Sequence, residues 1–167
     1  MRGMETLTPD HVQAVLDSFG LGLVVKHYDD HTTTSEDAAA VIGCNLGQIA
    51  KSMCLMIGGS PVLVVASGDR RLAEAKLAKH FAIGRKKVKI ATPEQCVEIF
   101  GYRPGGVPPV AHRTPGIPIV LDETLGRWDM LYAAAGTPHD NFDVTFEQLR
   151  VITSGEVLDC VKDNGAA

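Results

Sequence analysis

The sequence predicts a mixed α/β fold of the α+β kind, a mixed, curved sheet or partly closed barrel surrounded by helices. Three observations lead there. Apolar runs of strand length interleave with segments of helical period, without the strict βαβ alternation of a doubly wound fold. Residues 51–57 and 62–66 are apolar runs joined by Gly58, Gly59 and Ser60, a hairpin signal that makes at least one strand pair antiparallel. Residues 101–112, Gly-Tyr-Arg-Pro-Gly-Gly-Val-Pro-Pro-Val-Ala-His, hold three glycines and three prolines, which neither a helix nor a central strand tolerates.

Taken in order, Thr8 and Pro9 open a first amphipathic helix, with Val12, Val15, Leu16 and Phe19 at helical spacing and Gly20 as its end. Residues 21–27 read as a strand and 29–33 as a polar loop. Thr34 with Asp37 resembles a capping box, so a helix runs to Ile42 and stops at Gly43; residues 46–50 read as a short helix. The two hairpin strands follow. Residues 72–81 predict a basic amphipathic helix with Ala73, Leu77, Ala78 and Phe81 inward, and 86–90 a short strand. Thr92, Pro93 and Gln95 start a helix that ends at Gly101. After the Gly/Pro loop, residues 117–121 and 127–135 read as strands, 142–144 as a pairing segment, 145–152 as a helix boxed by Thr145 and Gln148, and 156–161 as the closing strand.

The chain has 167 residues, of which 45% are hydrophobic and 22% charged, the balance of an ordinary globular protein, and residues 1–167 are expected to form a single domain. No apolar run approaches the roughly 20 residues of a membrane span, and the N-terminus has no apolar signal core, so the expected location is cytoplasmic, away from membranes. Cys44, Cys54, Cys96 and Cys160 are widely spaced with no C-x-x-C pair, and three of them lie in apolar patterns as small core residues do, which supports neither a zinc knuckle nor a disulfide framework. The net charge of -4 argues against general affinity for nucleic acid, DNA included. Its distribution differs: Arg70, Arg71, Lys76, Lys79, Arg85, Lys86, Lys87 and Lys89 lie against the single acid Glu74, a patch able to meet several phosphates, although a solvated helix face followed by a basic turn has the same pattern.

The signatures of P-loop, dinucleotide-binding, zincin and serine-elbow enzymes are absent. What remains is a lone lysine, a glycine loop and two late histidines. Lys51 stands at the mouth of the first hairpin strand, where an ammonium either reaches water at the sheet edge or binds a phosphate or carbonyl in a pocket. Gly105 and Gly106 can present bare amides to an anion or oxyanion between prolines that fix the loop, unless the loop is simply a crossover. His112 and His139 occupy polar loops and can serve as acid, base or donor, or stand unengaged. Tyr132 could wall a pocket, and Trp128 packs. His27 and His31 lack a third ligand and read as surface residues, so no metal and no cofactor is expected.

Together, Gly47-Gln48-Ile49-Ala50-Lys51-Ser52, Val65-Ala66-Ser67-Gly68-Asp69, residues 101–112 and Ala135-Gly136-Thr137-Pro138-His139 resemble, in order, the YbaK/EbsC family. That family includes free-standing relatives of the editing domain inserted in bacterial prolyl-tRNA synthetases. The resemblance implies a mixed sheet or pseudo-barrel and hydrolysis of the ester of mischarged aminoacyl-tRNA. It implies that Lys51 is the essential lysine and that Gly101 through Pro109, with Tyr102 and with Gly105 and Gly106 at the centre, orient the aminoacyl ester. It implies further that Gly136 lies at the far wall of the pocket, near His139. The branch it is most similar to reads Gly-Gly-Val-Pro-Pro-Val-Gly-His, where this chain has Ala111 in place of the last glycine; members acting on cysteinyl-tRNA tend to carry Ser near Pro108. Expected partners are the acceptor end of tRNA, met by Arg70 to Lys89, and a synthetase. The rival readings are a non-catalytic module for tRNA ends or nucleotides, and a metal-dependent hydrolase using His27, His31 or His139.

Overall fold

The computed structural model describes residues 5–30 and 34–163. Its five helices are α1 (Pro9–Asp17), α2 (Ser35–Ile42), α3 (Glu74–His80), α4 (Pro93–Gln95, running on into a π turn at Cys96–Phe100) and α5 (Phe146–Thr153). Its eight strands are β1 (Val25–His27), β2 (Ile49–Ile57), β3 (Ser60–Ser67), β4 (Val88–Ile90), β5 (Ile119–Asp122), β6 (Leu131–Ala134), β7 (Asp140–Val144) and β8 (Glu156–Leu158). They form one sheet in the order β1-β7-β6-β2-β3-β5-β8, with β4 on β2. The pairs β2–β6, β3–β5 and β5–β8 are parallel and the others antiparallel, so the sheet is mixed. β1 and β8 end the row without pairing to each other, which leaves an open sheet instead of a barrel.

Helix starts follow the local signals. The side chains of Thr8, Thr34, Thr92 and Thr145 each accept the backbone N–H three residues on, and at Thr92 and Thr145 the Gln partner returns a hydrogen bond to complete the box. Elsewhere distant pairing overrides local pattern. The segment 46–50, expected to be helical, is one 3₁₀ turn (Leu46–Gln48), and Ile49 and Ala50 already belong to β2 because β3 and β6 pair with them. Of the expected strand 21–27 only β1 pairs, with β7. Arg85–Lys87 form a 3₁₀ turn before β4. The expected strand 127–135 is delayed, because the Asp122 carboxylate accepts the Thr124 N–H and turns Glu123–Arg127 into a 3₁₀ helix, so that β6 begins at Leu131.

Strand alternation sorts the core. Ala50 and Cys54 of β2 face a large cluster with Leu63, Val65, Phe100, Tyr102, Leu121 and Phe142, closed by α1 through Val12 and Leu16 and by α5 through Leu149 and Ile152. Leu55 and Ile57 face the other way, onto Val62, Val64 and the Leu77 and Ala78 face of α3. A third, small cluster sets Ala38 and Ala39 of α2 against Ile49, with Tyr132 at its rim.

One property of β2 positions the site. Its first edge pairs with β3 from Ala50↔Ser67 to Ile57↔Ser60. Its second edge is divided: β6 pairs at Ile49 and Ala50, β4 at Leu55 to Ile57, and between them residues 51–54 have no strand beside them.

Candidate active site

At that gap lies a cavity of about 410 Å³. Its walls come from six places: the start of α2 (Thr34, Ser35, Glu36, Ala38), β2 from Ile49 to Cys54, Gly68 after β3, the β4–α4 segment (Ile90, Ala91, Cys96), the Gly/Pro loop (Pro104, Gly105, Val107) and the β6–β7 turn (Ala134, Pro138, Asn141). Lys51 and Gly105 therefore line one and the same cavity. Lys51 makes no ion pair among the described residues. Its neighbour Ser52 leaves the opposite face of β2, and both reach the cavity because it runs past the open edge.

The Gly/Pro loop divides its labour. Gly105 has φ 92, an exposed backbone, and an amide with no acceptor among the described residues. Gly106 is buried and serves packing: its N–H donates to the Arg103 carbonyl at 3.0 Å, its carbonyl accepts the Gly136 N–H at 2.9 Å, and a Cβ on it would stand 2.9 Å from the Gly136 oxygen. Its amide is thus already paired, and it does not line the cavity. A Cβ on Gly136 would stand 3.2 Å from the Pro9 nitrogen and 3.3 Å from the Thr8 carbonyl carbon, and Gly101 ends the π turn by donating to the Cys96 and Val97 carbonyls.

The remaining expected binding residues hold the loop instead of facing the cavity. Tyr102 is fully buried and donates its hydroxyl to the Ala111 carbonyl at 2.6 Å; burial pushes its phenol up. Pro109 is buried. His112 places Nε2 2.8 Å from the Pro108 carbonyl and its ring edge-on to Phe100, and burial pulls its pKa down, so the neutral ring donates to that carbonyl. His139 sets Nδ1 3.0 Å from the carbonyls of both Tyr28 and Asp30, which makes Nδ1 the donor and ties the β6–β7 turn to the segment after β1. Of the histidines weighed as metal ligands, His27 lies between Asp29 and Asp140, and His31 is outside the described residues.

The basic segment spreads along the sheet instead of ringing the cavity. Arg70 and Arg71 follow the end of β3 beside Ala50, close to Lys51, but only Arg71 is exposed; Arg70 lies largely buried, 3.8 Å from Asp69. Lys76 is committed to Asp159, Asp163 and the Val161 carbonyl, tying α3 to the C-terminal segment. Lys79, Arg85, Lys86 and Lys87 are exposed, and Lys87 accepts the Gly58 N–H at the far end of β2, roughly 20 Å along the strand from Lys51.

Several cavity residues escaped the sequence reading. Thr34 was legible as a helix cap and Cys54 and Cys96 as core, but nothing local placed them on one wall. The two thiols share a hydrogen bond, which together with burial raises Cys54. Ser52 looked like one more strand position, yet its buried Oγ has no hydrogen-bond partner among the described residues. No helix among the described residues is long and apolar enough to cross a membrane.

A family model described as "Aminoacyl-tRNA editing domain" matches residues 29–152, which contain every wall of this cavity. The chain is 30% identical to the uncharacterized protein YwhH of Bacillus subtilis over 83% of this chain and 87% of that one. It is 29% identical to a proline–tRNA ligase of Staphylococcus epidermidis over 83% of this chain but only 25% of the ligase, so it spans about a quarter of that enzyme. Among solved structures, a candidate trans-editing enzyme for prolyl tRNA synthetase superposes with TM-score 0.86 and 34% identity, over 95% of this chain and 100% of that one. With the motif order, the open mixed sheet and the cavity at Lys51 in agreement, the chain belongs to the aminoacyl-tRNA editing domain family.

Proposed function

We propose that the protein is a free-standing deacylase that hydrolyses the ester of mischarged aminoacyl-tRNA, without metal or covalent intermediate. The observation that carries this reading is the shared cavity: a lysine with no ion-pair partner and a glycine amide with no acceptor among the described residues line the same space. An aminoacyl ester is reactive enough that catalysis reduces to placing water beside the carbonyl and holding the developing oxyanion. The Gly105 N–H is the oxyanion donor. The Lys51 ammonium neutralises charge at the carbonyl or the terminal adenosine, and a ribose hydroxyl of the substrate helps to activate the water. Gly106, Tyr102, Pro109, His112, Gly136 and His139 act one layer back, by fixing the loop and the turn that face the ester.

Arg71, Lys79, Arg85, Lys86 and Lys87 meet phosphates of the acceptor stem, with the stem running along β2 away from the cavity. A synthetase that releases mischarged tRNA is the natural partner. The test is a panel of alanyl-, cysteinyl-, seryl- and threonyl-tRNA incubated with the purified protein, following loss of the acyl group. Turnover of at least one, lost in Lys51→Ala, is the expected result. Binding of tRNA without hydrolysis of any would replace the deacylase by a non-catalytic tRNA-end module.

A further inference from the structure

The gap in β2 leaves a specific set of peptide groups without partners. The Cys54 carbonyl accepts the Ala91 N–H at 2.9 Å, and the Gly58 N–H donates to the Lys87 carbonyl at 3.0 Å, so even-numbered residues of β2 turn their peptide groups toward this edge. Odd-numbered residues turn theirs to β3, as the Ile49 carbonyl does in accepting the Gly68 N–H at 2.8 Å. The β6 ladder stops at Ala50 and the β4 ladder at Leu55, and the only even residue between Ala50 and Cys54 is Ser52. Both the N–H and the C=O of Ser52 therefore point into the gap. Continuing the Leu55↔Ile90 register would bring Pro93 opposite Ser52, and Pro93 has no N–H to give. Thr92 has by then capped α4, so β4 cannot extend.

Ser52 thus brings an N–H, a C=O and a buried Oγ to the cavity wall with no protein partner for any of them among the described residues. Buried polar groups in folded proteins are nearly always paired, so the buried Oγ, beside a backbone N–H and C=O that open on the cavity, calls for a partner from outside the protein, water or ligand.

We propose that Ser52 is the positioning residue for the aminoacyl group, which docks on β2 as a single residue in antiparallel register: the Ser52 N–H donates to the acyl carbonyl oxygen and the Ser52 C=O accepts from the α-ammonium. This rests on the deacylase reading for the identity of the ligand. An α-aminoacyl ester carries one donor and one acceptor on either side of one Cα, the spacing with which a hydrogen-bonded antiparallel pair exchanges both bonds. It has no second N–H, which suits a gap one residue wide. The arrangement selects L-α-aminoacyl esters with a free amine and disfavours hydroxyacyl and N-blocked acyl groups, which lack the ammonium.

The test uses 3′-alanylamino-3′-deoxyadenosine, an amide that cannot be hydrolysed as the ester is, and the propionyl compound that lacks the α-amine. By calorimetry the protein should bind the alanyl compound at least about ten-fold more tightly, the worth of one charge-assisted hydrogen bond. Replacing Ser52 by its α-hydroxy analogue, which exchanges the peptide N–H for oxygen, should weaken alanyl binding about ten-fold as well. A second readout needs no variant: the Ser52 amide should exchange quickly with solvent in the free protein and slow at least ten-fold when the alanyl compound is bound. Equal affinity for the two compounds, or a Ser52 amide whose exchange is unchanged by saturating ligand, overturns the proposal. Because binding and exchange are read without turnover, a protein that binds as expected yet hydrolyses no mischarged tRNA would refute the deacylase and leave the Ser52 assignment standing.

Discussion

The carbonyl of Gly106 accepts the amide of Gly136 at 2.9 Å, joining the Gly/Pro loop to the β6–β7 turn behind the cavity. The fit is so close that a methyl group on Gly106 would stand 2.9 Å from both the Gly136 oxygen and the Thr137 α-carbon, which are backbone atoms unable to swing aside. Gly106→Ala should therefore destabilise the fold by about 1–3 kcal/mol, the cost of overpacking a tight contact. Denaturant melts would give that value. An unchanged midpoint would mean that the two loops are not held together by this contact.

Lys51→Ala and Lys51→Met should each lower kcat for a mischarged substrate by about 100-fold, within the range set by losing one electrostatic contact to a developing charge. The thermal midpoint should stay within a few degrees, since Lys51 makes no ion pair among the described residues whose loss would matter. Single-turnover deacylation beside a melting curve separates the two effects.

Ala111 carries φ 65, in the left-handed region where a side chain costs about 1–2 kcal/mol. Ala111→Gly should remove that strain while adding unfolded-state entropy worth about 0.4–1 kcal/mol, for a net gain of about 0.5–1 kcal/mol. A denaturant series comparing the two proteins would show the midpoint rising without a change in slope.

Two histidines should titrate in opposite directions from the usual value of about 6.5. His27 is raised, first by its hydrogen bond to Asp140, so its stabilising contribution is complete below the unfolded value and fades as pH rises through the folded one. His112 is lowered by burial, so it costs nothing above about 6.5, and stability falls as pH drops from there to its folded pKa, then levels off. Imidazole proton shifts followed from pH 4 to 9 would check both. His112→Gln should flatten the acid side of the stability profile and His27→Asn the neutral side.

Affinity for tRNA should fall with added salt, because exposed Arg71, Lys79, Arg85, Lys86 and Lys87 displace counterions from phosphates. Charge removal at Lys86 and Lys87 should weaken binding and make the logarithmic salt slope shallower by about 1–2 units. Lys76→Gln should act differently, lowering stability through loss of Asp159 and Asp163 and leaving the slope in place.

What could be read from the sequence follows from how local each signal is. The threonine caps bond within three residues and the β2–β3 hairpin closes on Gly58 and Gly59, so both were visible in short windows. The same holds for Lys51 and Gly105, whose residue types and neighbourhoods stand out. Gly106, His112 and His139 carry the same chemistry on paper, but Gly106 and His112 turn to the Arg103 and Pro108 carbonyls three and four residues back, loop contacts with no side-chain signature, and His139 turns to the distant Tyr28 carbonyl, a partner set by tertiary packing. Lys76 read as one more phosphate ligand because Asp159 and Asp163 lie more than 80 residues away. The opening beside Ser52 was invisible for the same reason: it is bounded by where β4 and β6, distant in the chain, stop pairing.

A single imino acid both launches α4 and terminates the β4 ladder, and this makes the width of the opening a digital quantity. Residues pair in whole steps, so an insertion or deletion between Ile90 and Pro93 would admit or exclude a full peptide unit beside β2, whereas resizing side chains on the walls would only trim the space within it. On this side the opening is therefore resized by indels at one short connection, while its other end is set where the β6 ladder stops at Ala50.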